Sequence, residues 1–330
     1  MTTYKHVNCN LCGGREKQPF VQVACIDRED EIFSIVRCNY CGLLYLDPRP
    51  NKHAVMDYYA PDYYAWQSAG RLSIRERVKT IVMEERGHCC VKSYSFPVNI
   101  LRRVIAWLFD RYVSVIVQYG RNEKVLDVGC GSGGFLKWLV DHDFKAQGGD
   151  VSFQAAERAY EKGLDVFCGE LSDAKFNDNE FDTLVINQVL EHVQDPQQLL
   201  TECHRILKNG GLLIVGVPNI ESYSFRVLGR YWHAIDVPKH LYYFSYTTLR
   251  IMLERVGFII DNARTSFFFI PRVIYEDLRR LRKSENLIRY FSAIFKIFVL
   301  RFLYFLWSRD RMSGDYLTLY ARKKSSKDLV

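Results

Sequence analysis

No run of eighteen uncharged apolar residues occurs in this 330-residue chain, which argues against a conventional membrane-spanning helix. The opening Met-Thr-Thr-Tyr-Lys-His has no apolar stretch of the kind a secretory leader needs, so a reducing, cytoplasmic compartment is expected. The ten cysteines are then ligands or buried thiols rather than disulfides. No internal repeat and no low-complexity segment is present. Disorder is expected only in the tail 324–330. Nor does one sign of charge dominate: 45 basic against 38 acidic residues leave +7, densest between Arg272 and Lys283. A solvated basic face explains this more simply than a phosphate-bearing partner.

What is present suits a soluble globular protein, with 48% hydrophobic and 25% charged residues. The length allows one large domain plus appendages. Residues 1–50 carry paired cysteines and end in Asp47-Pro-Arg-Pro50, whose prolines stop regular structure. Residues 51–122 read as a helical linker or lid, with tyrosines at 58, 59, 63 and 64 and an apolar helix over Leu101–Val117.

From Lys124 short apolar runs alternate with helical segments, the texture of βαβ units on a parallel sheet. Strands are expected at Val125–Val128, Ala146–Gly149, Val166–Cys168, Thr183–Asn187 and Leu212–Val217. Helices are expected at Gly134–His142, Phe153–Lys162, Pro196–Leu207 and Thr247–Val256. Strands near Phe258–Asp261 and at Tyr316–Ala321 flank an interruption at about 268–312. Within it, Leu287 to Trp307 is apolar but broken by Arg289, Lys296 and Arg301. That pattern fits a packed lid or dimer helix, with peripheral contact at the inner membrane surface as the alternative.

Val125-Leu-Asp-Val-Gly-Cys-Gly-Ser-Gly-Gly134 runs from a strand through a glycine turn into a helix, a place where backbone amides meet a ligand. Alone it also satisfies the dinucleotide pattern GxGxxG. Asp150, ending the next strand, can grip a ribose of either cofactor. The decision comes from two further blocks, Phe181-Asp-Thr-Leu-Val-Ile-Asn-Gln-Val-Leu-Glu-His-Val-Gln-Asp-Pro196 and Ile206-Leu-Lys-Asn-Gly-Gly-Leu-Leu-Ile-Val-Gly-Val-Pro-Asn219. In this order and spacing the blocks resemble class I S-adenosylmethionine-dependent methyltransferases over about Lys124–Lys323.

The resemblance implies an α/β, Rossmann-like seven-stranded sheet with a final antiparallel strand, here preceded by a helical insertion. It also implies S-adenosylmethionine as cofactor. Asp127, Gly129, Gly131 and Gly133 would hold the methionine end of the donor. Asp150 would bind the ribose, with Val151 beside the adenine and Glu170 and Leu171 near its edge. Asn187 and Gln188 would lie under the sulfonium.

Cys9-Asn-Leu-Cys12-Gly and Cys38-Asn-Tyr-Cys41-Gly are two CxxCG knuckles separated by 25 residues. Four thiolates close a tetrahedral shell, so a structural Zn2+ on Cys9, Cys12, Cys38 and Cys41 is expected. Cys25 has no partner spacing, and Cys89, Cys90, Cys130, Cys168 and Cys203 read as packing residues.

For a hydroxyl acceptor the protein must align the oxygen and remove its proton, and histidine is the natural base. His192 follows the fourth strand. His240, the preferred base, and His233 lie in Tyr231-Trp-His-Ala-Ile-Asp-Val-Pro-Lys-His-Leu-Tyr-Tyr-Phe-Ser245, a loop placed to cover the pocket. The paired knuckles, Leu43-Leu-Tyr-Leu-Asp-Pro-Arg-Pro50 and Pro238-Lys-His-Leu-Tyr-Tyr-Phe-Ser245 together resemble bacterial methyltransferases of surface-polysaccharide or deoxysugar synthesis. The second half also resembles ubiquinone-biosynthesis O-methyltransferases. A small acceptor is therefore expected, such as a sugar, nucleotide-linked sugar or cell-envelope glycan precursor, methylated on oxygen or carbon. Alternatives are a quinone or lipid acceptor, RNA methylation by analogy with zinc-ribbon ribosomal RNA enzymes, and a non-catalytic scaffold. The knuckles carry Asn, Leu and Tyr rather than Lys or Arg, which argues against nucleic acid.

Overall fold

The computed structural model describes residues 3–59, 74–89, 94–118, 123–267, 271–297 and 312–324. Its N-terminal part contains β1 (Tyr4–Lys5), the meander β2 (Lys17–Ala24), β3 (Ile32–Cys38) and β4 (Leu44–Leu46), and β5 (Arg49–Pro50), which pairs with β1. Helices α1 (Lys52–Met56), α2 (Ile74–Gly87) and α3 (Phe96–Phe109) follow. The helix expected over Leu101–Val117 thus starts at Phe96 and gives way to a 3-10 turn at Asp110–Tyr112. Ser95 and Pro97 suit a helix start. Val113, Val115, Ile116 and Val117 are β-branched, lose rotamer freedom in a helix, and instead run outside it as buried chain.

The larger part comprises β6 (Lys124–Val128), α4 (Gly134–Asp141), β7 (Lys145–Asp150), α5 (Phe153–Tyr160), β8 (Val166–Cys168), β9 (Phe181–Asn187), α6 (Pro196–Ile206) and β10 (Leu207–Pro218). It continues through α7 (Tyr223–Leu228), β11 (Tyr242–Tyr243), α8 (Tyr246–Val256), β12 (Phe258–Ser266), α9 (Pro271–Ser284), α10 (Leu287–Phe295) and β13 (Tyr316–Lys323). Seven strands form one sheet in the order β8-β7-β6-β9-β10-β13-β12. The pairs from β8 to β10 are parallel, and β13 is antiparallel to both its neighbours. This is the Rossmann-like methyltransferase sheet that the motifs implied.

Strands β6 and β9 lie in the middle of the sheet and are covered on both faces, which is why Val125, Leu126, Leu184, Val185 and Ile186 form unbroken apolar runs rather than alternating ones. Strand order reverses beside β6, with β7 on one side and β9 on the other, and that reversal opens a crevice at the C-terminal strand ends. Helix starts are fixed locally: Asp195 accepts from the Gln198 amide at 3.0 Å ahead of Pro196, and Ser245 with Thr248 forms a capping box for α8.

The cysteine module is not closed on itself. Strand β11 comes from the larger part of the chain and completes its sheet in the order β11-β4-β3-β2, with Tyr242 opposite Tyr45 and Tyr243 opposite Leu44. One apolar core runs through both parts, joining Leu11, Phe33 and Tyr45 to Leu126, Leu184 and Val215.

Two ranges shift. The last strand extends to Lys323, whose ammonium donates to Leu207 O at 2.7 Å and Asn179 Oδ1 at 2.9 Å. Cys168, expected to pack, is exposed, because it ends the edge strand β8. Among the described residues no helix is long and apolar enough to cross a membrane. The expected features at Tyr63, Tyr64, Cys90, 298–311 and the tail 325–330 lie outside the described residues.

Candidate active site

The glycine loop joins β6 to α4 in the crevice. Gly129 has φ +74°, and a Cβ there would stand 2.2 Å from Val189 Cγ2; Gly133 has φ +79°, and its Cβ would meet Leu164 Cδ1 at 2.4 Å. Glycine at the first position therefore lets the loop close against the segment after β9, and at the second lets α4 pack on the turn after α5. Asp150 at the tip of β7 accepts from the Gly131 amide at 2.9 Å and from the Ser152 amide at 2.8 Å. Its carboxylate is thus locked beside the loop with lone pairs left over.

Asp127 lies one residue before the end of β6 with 4% of its surface exposed. Burial, then the neighbouring charge of Asp150, pushes its carboxyl up to about 7, while Lys79 acts in the opposite sense. At the end of β9, Gln188 is held in the left-handed region at φ +59° by its amide bond to Gly216 O at 2.8 Å. A non-glycine residue there is strained, as backbone at binding sites often is. Asn187 Oδ1 and Gln188 Nε2 are buried without a hydrogen-bond partner in the protein, Asn187 Oδ1 packing on Gly216, where a Cβ would stand 2.5 Å from it. Val151 is exposed and offers an apolar flank. Glu170 is further out: it bonds Lys52 and caps a 3-10 turn with Asp173, while the Leu171 side chain points into the core.

The segment after β9 carries the next group. His192 Nδ1 lies 3.1 Å from Lys239 O and 3.0 Å from the Tyr59 hydroxyl, and His240 Nδ1 lies 2.9 Å from Ala234 O. A carbonyl only accepts, so each ring carries its hydrogen on Nδ1 and keeps a free lone pair on Nε2. The two rings meet edge to face with centroids 4.6 Å apart. Burial pushes both imidazoles below their ordinary range, His192 further through its neighbour His240, so both are neutral at pH 7.

Beside them Glu191 is completely buried, and neither carboxyl oxygen has a hydrogen-bond partner. Its Oε1 lies 3.9 Å from His192 Nε2, and burial raises it to about 8. His233 is turned elsewhere, its Nδ1 3.0 Å from the buried Asp277 on α9. The structure therefore brings His192 and His240 together and turns His233 to a hydrogen bond with Asp277 instead.

The knuckles also converge. Cys9 and Cys41 have Sγ atoms 3.4 Å apart, as do Cys12 and Cys38, and all four sulfurs lie within 4.8 Å of one another. Around one zinc with ~2.3 Å bonds, tetrahedral sulfurs sit roughly 3.8 Å apart, so the set fits with a small expansion. Gly13 and Gly42 turn the chain at φ +76° and +77° directly after each knuckle. Burial works against ionisation of Cys38, but the amides of Cys41 and Tyr40 draw its thiol below the ordinary value.

The module is tied to the crevice by polar contacts. Arg49 donates to the Tyr242 hydroxyl at 2.6 Å and to Gln194 O at 2.8 Å, and Gln194 Nε2 donates to Pro50 O at 3.1 Å. Glu191 O receives the amides of Leu241 and Tyr242 at 2.7 and 3.2 Å, which joins the His192 segment to the His240 loop. Sequence reasoning overlooked Glu191 and Arg49. Glu191 was signalled only by standing next to His192.

A methyltransferase-domain family model matches residues 101–262. An uncharacterised protein of Methanocaldococcus jannaschii is 31% identical over 143 residues, 43% of this chain and 68% of that protein. The ubiquinone biosynthesis O-methyltransferase of Vibrio atlanticus is 33% identical over 116 residues, 32% of this chain and 49% of that enzyme. A probable S-adenosylmethionine-dependent methyltransferase of Mycolicibacterium smegmatis is 30% identical, with 42% of this chain and 53% of that one covered. The chain thus spans about half the length of these two methyltransferases. A crystal structure of an S-adenosylmethionine-dependent methyltransferase from Archaeoglobus fulgidus superposes with a TM-score of 0.42 at 20% identity, covering 73% of this chain and 98% of that one. With the strand order, the glycine loop, the family-model match and the sequence relatives together, the chain belongs to the S-adenosylmethionine-dependent methyltransferases.

Proposed function

We propose that this methyltransferase acts on a small hydroxyl-bearing molecule of the class of a sugar, nucleotide-linked sugar or cell-envelope glycan precursor. One observation supports the reading: His192 stands on the segment whose Val189 packs against the glycine loop, and His240, on the neighbouring loop, meets it edge to face. Asp127, Gly129, Gly131 and Gly133 would hold the methionine end of the donor, Asp150 the ribose, and Val151 the adenine face. Asn187 and Gln188, at the end of β9, would lie under the sulfonium. Glu170 and the Leu171 backbone would border the adenine edge.

The donor, when bound, supplies an electrophilic methyl for an in-line displacement. The chain's own work is to align the acceptor oxygen and take its proton on Nε2 of His240 or His192. A weakly basic imidazole suffices, because the hydroxyl proton becomes strongly acidic only as the new C–O bond forms. The His240 loop, held in place by its bonds to Glu191 O, would help exclude water.

We also assign a structural Zn2+ to Cys9, Cys12, Cys38 and Cys41, supported by the convergence of the four sulfurs. A closed thiolate shell holds the fold of the module and takes no part in transfer.

The second reading, a quinone-type O-acceptor, is favoured by the ubiquinone O-methyltransferase relatives and by the exposed apolar residues Phe96, Leu101 and Trp107 on α3. Methyl-labelled donor incubated separately with nucleotide-linked sugars, quinone precursors and RNA separates these cases. Label in a sugar product is expected; label only in quinone or RNA overturns the preferred reading.

A further inference from the structure

We propose that Glu191, His192 and His240 form a second metal site, one that takes a divalent transition ion of the Zn2+, Fe2+ or Mn2+ class. Their ligand atoms all lie within 4.8 Å of one another. Two nitrogen or oxygen ligands on one tetrahedral ion with ~2.1 Å bonds stand roughly 3.4 Å apart. The 3.9 Å between Glu191 Oε1 and His192 Nε2 therefore closes to bonding geometry with about half an ångström of adjustment.

Three further features point the same way. Both imidazoles give Nδ1–H to a backbone carbonyl, of Lys239 and of Ala234, which fixes ring orientation and aims the Nε2 lone pair into the cluster. Metal-ligating histidines are held in this manner by their outer neighbours. Glu191 is completely buried with two unpartnered oxygens, and a buried carboxyl without hydrogen bonds is costly until a cation or proton meets it. The site also sits on scaffold: Glu191 and His192 follow β9, and the His240 loop is pinned by the two amide bonds into Glu191 O and by the β4–β11 pairing.

Two imidazoles and one carboxylate suit borderline ions and leave coordination positions open, unlike the four-thiolate cluster. An acceptor hydroxyl entering an open position would be acidified by the ion, which in occupying both Nε2 lone pairs would replace His240 or His192 as the group that frees the proton. That role rests on the acceptor reading above, whereas binding of the ion does not.

The test uses the full chain purified with its thiolate site loaded with zinc. Cobalt(II) is added and followed by its visible spectrum and by metal analysis. One further equivalent of cobalt is expected, giving weak d–d absorption without a thiolate-to-cobalt charge-transfer band. Glu191→Gln and His240→Asn should each abolish that equivalent while the zinc and a cooperative melt are kept. No uptake beyond the thiolate site in the wild-type chain overturns the proposal, and this arm needs no variant to fold. Equal uptake by the Glu191→Gln/His240→Asn double variant overturns it as well. Donor binding, titrated separately, shows whether the methyltransferase reading stands independently.

Discussion

Asp127 gives a quantitative handle on donor binding. Its carboxyl is 4% exposed and raised to about 7, first by burial and then by Asp150. If it receives the ammonium of the donor's methionine end, only the ionised form binds. The apparent Kd should then be near its limit at pH 8, about tenfold weaker at pH 6 and about 100-fold weaker at pH 5. Below neutrality the binding event should also release a proton, visible as a buffer-dependent heat. The sign for stability runs the other way. The folded state keeps a proton on Asp127 that the unfolded chain loses above its ordinary carboxylate range. The residue therefore penalises the fold increasingly from about pH 4 to about pH 7, by a few kcal/mol at most. Asp127→Asn should flatten both profiles: donor binding becomes weak and insensitive to pH, and the apo protein melts higher than wild type at pH 8. Isothermal titration with S-adenosylhomocysteine between pH 5 and 8, with melting curves of the apo proteins, provides the measurement. A wild-type Kd that does not change over that range, or an Asn variant with the same slope, refutes the reasoning.

Arg49→Met should cost about 2–3 kcal/mol in thermal or urea unfolding, because the buried Tyr242 hydroxyl and Gln194 carbonyl lose a charged donor. Gly129→Ala forces φ +74° on alanine and sets a Cβ 2.2 Å from Val189, so calorimetry should show donor affinity reduced at least about tenfold, with little recovery in the Val189→Ala background. Stripping the metal from the cysteine cluster should abolish methyl transfer yet leave donor binding measurable, since β4 templates β11 and the His240 loop but not the glycine loop. Unchanged transfer by the stripped protein, read with labelled donor, contradicts that coupling.

Features local in the chain were readable from the residues. The glycine loop, Asp150 at the tip of its strand and the two knuckles each depend on spacings of a few residues, and the structure places them as the spacings required. The seven-stranded sheet followed from apolar runs long enough to show their burial. What escaped was set by distant pairing. β11 is two residues long and shows no periodicity, yet it joins the cysteine module to the loop that carries His240. The cluster of Glu191, His192 and His240 is brought together by the Leu241 and Tyr242 amides, which bond Glu191 O across fifty and fifty-one residues of chain. The early end of α3 belongs to the same class, since Val113 to Val117 are apolar enough to continue a helix and are drawn away by core packing.

The most direct measurement is a crystal structure of the full chain with S-adenosylhomocysteine. The account predicts ribose hydroxyls on Asp150, the amino-acid end against Asp127 and the glycine loop, and a sulfur facing open space bounded by Gln188, His192 and His240. A ligand bound elsewhere, or a sulfur facing away from the histidine pair, would contradict it.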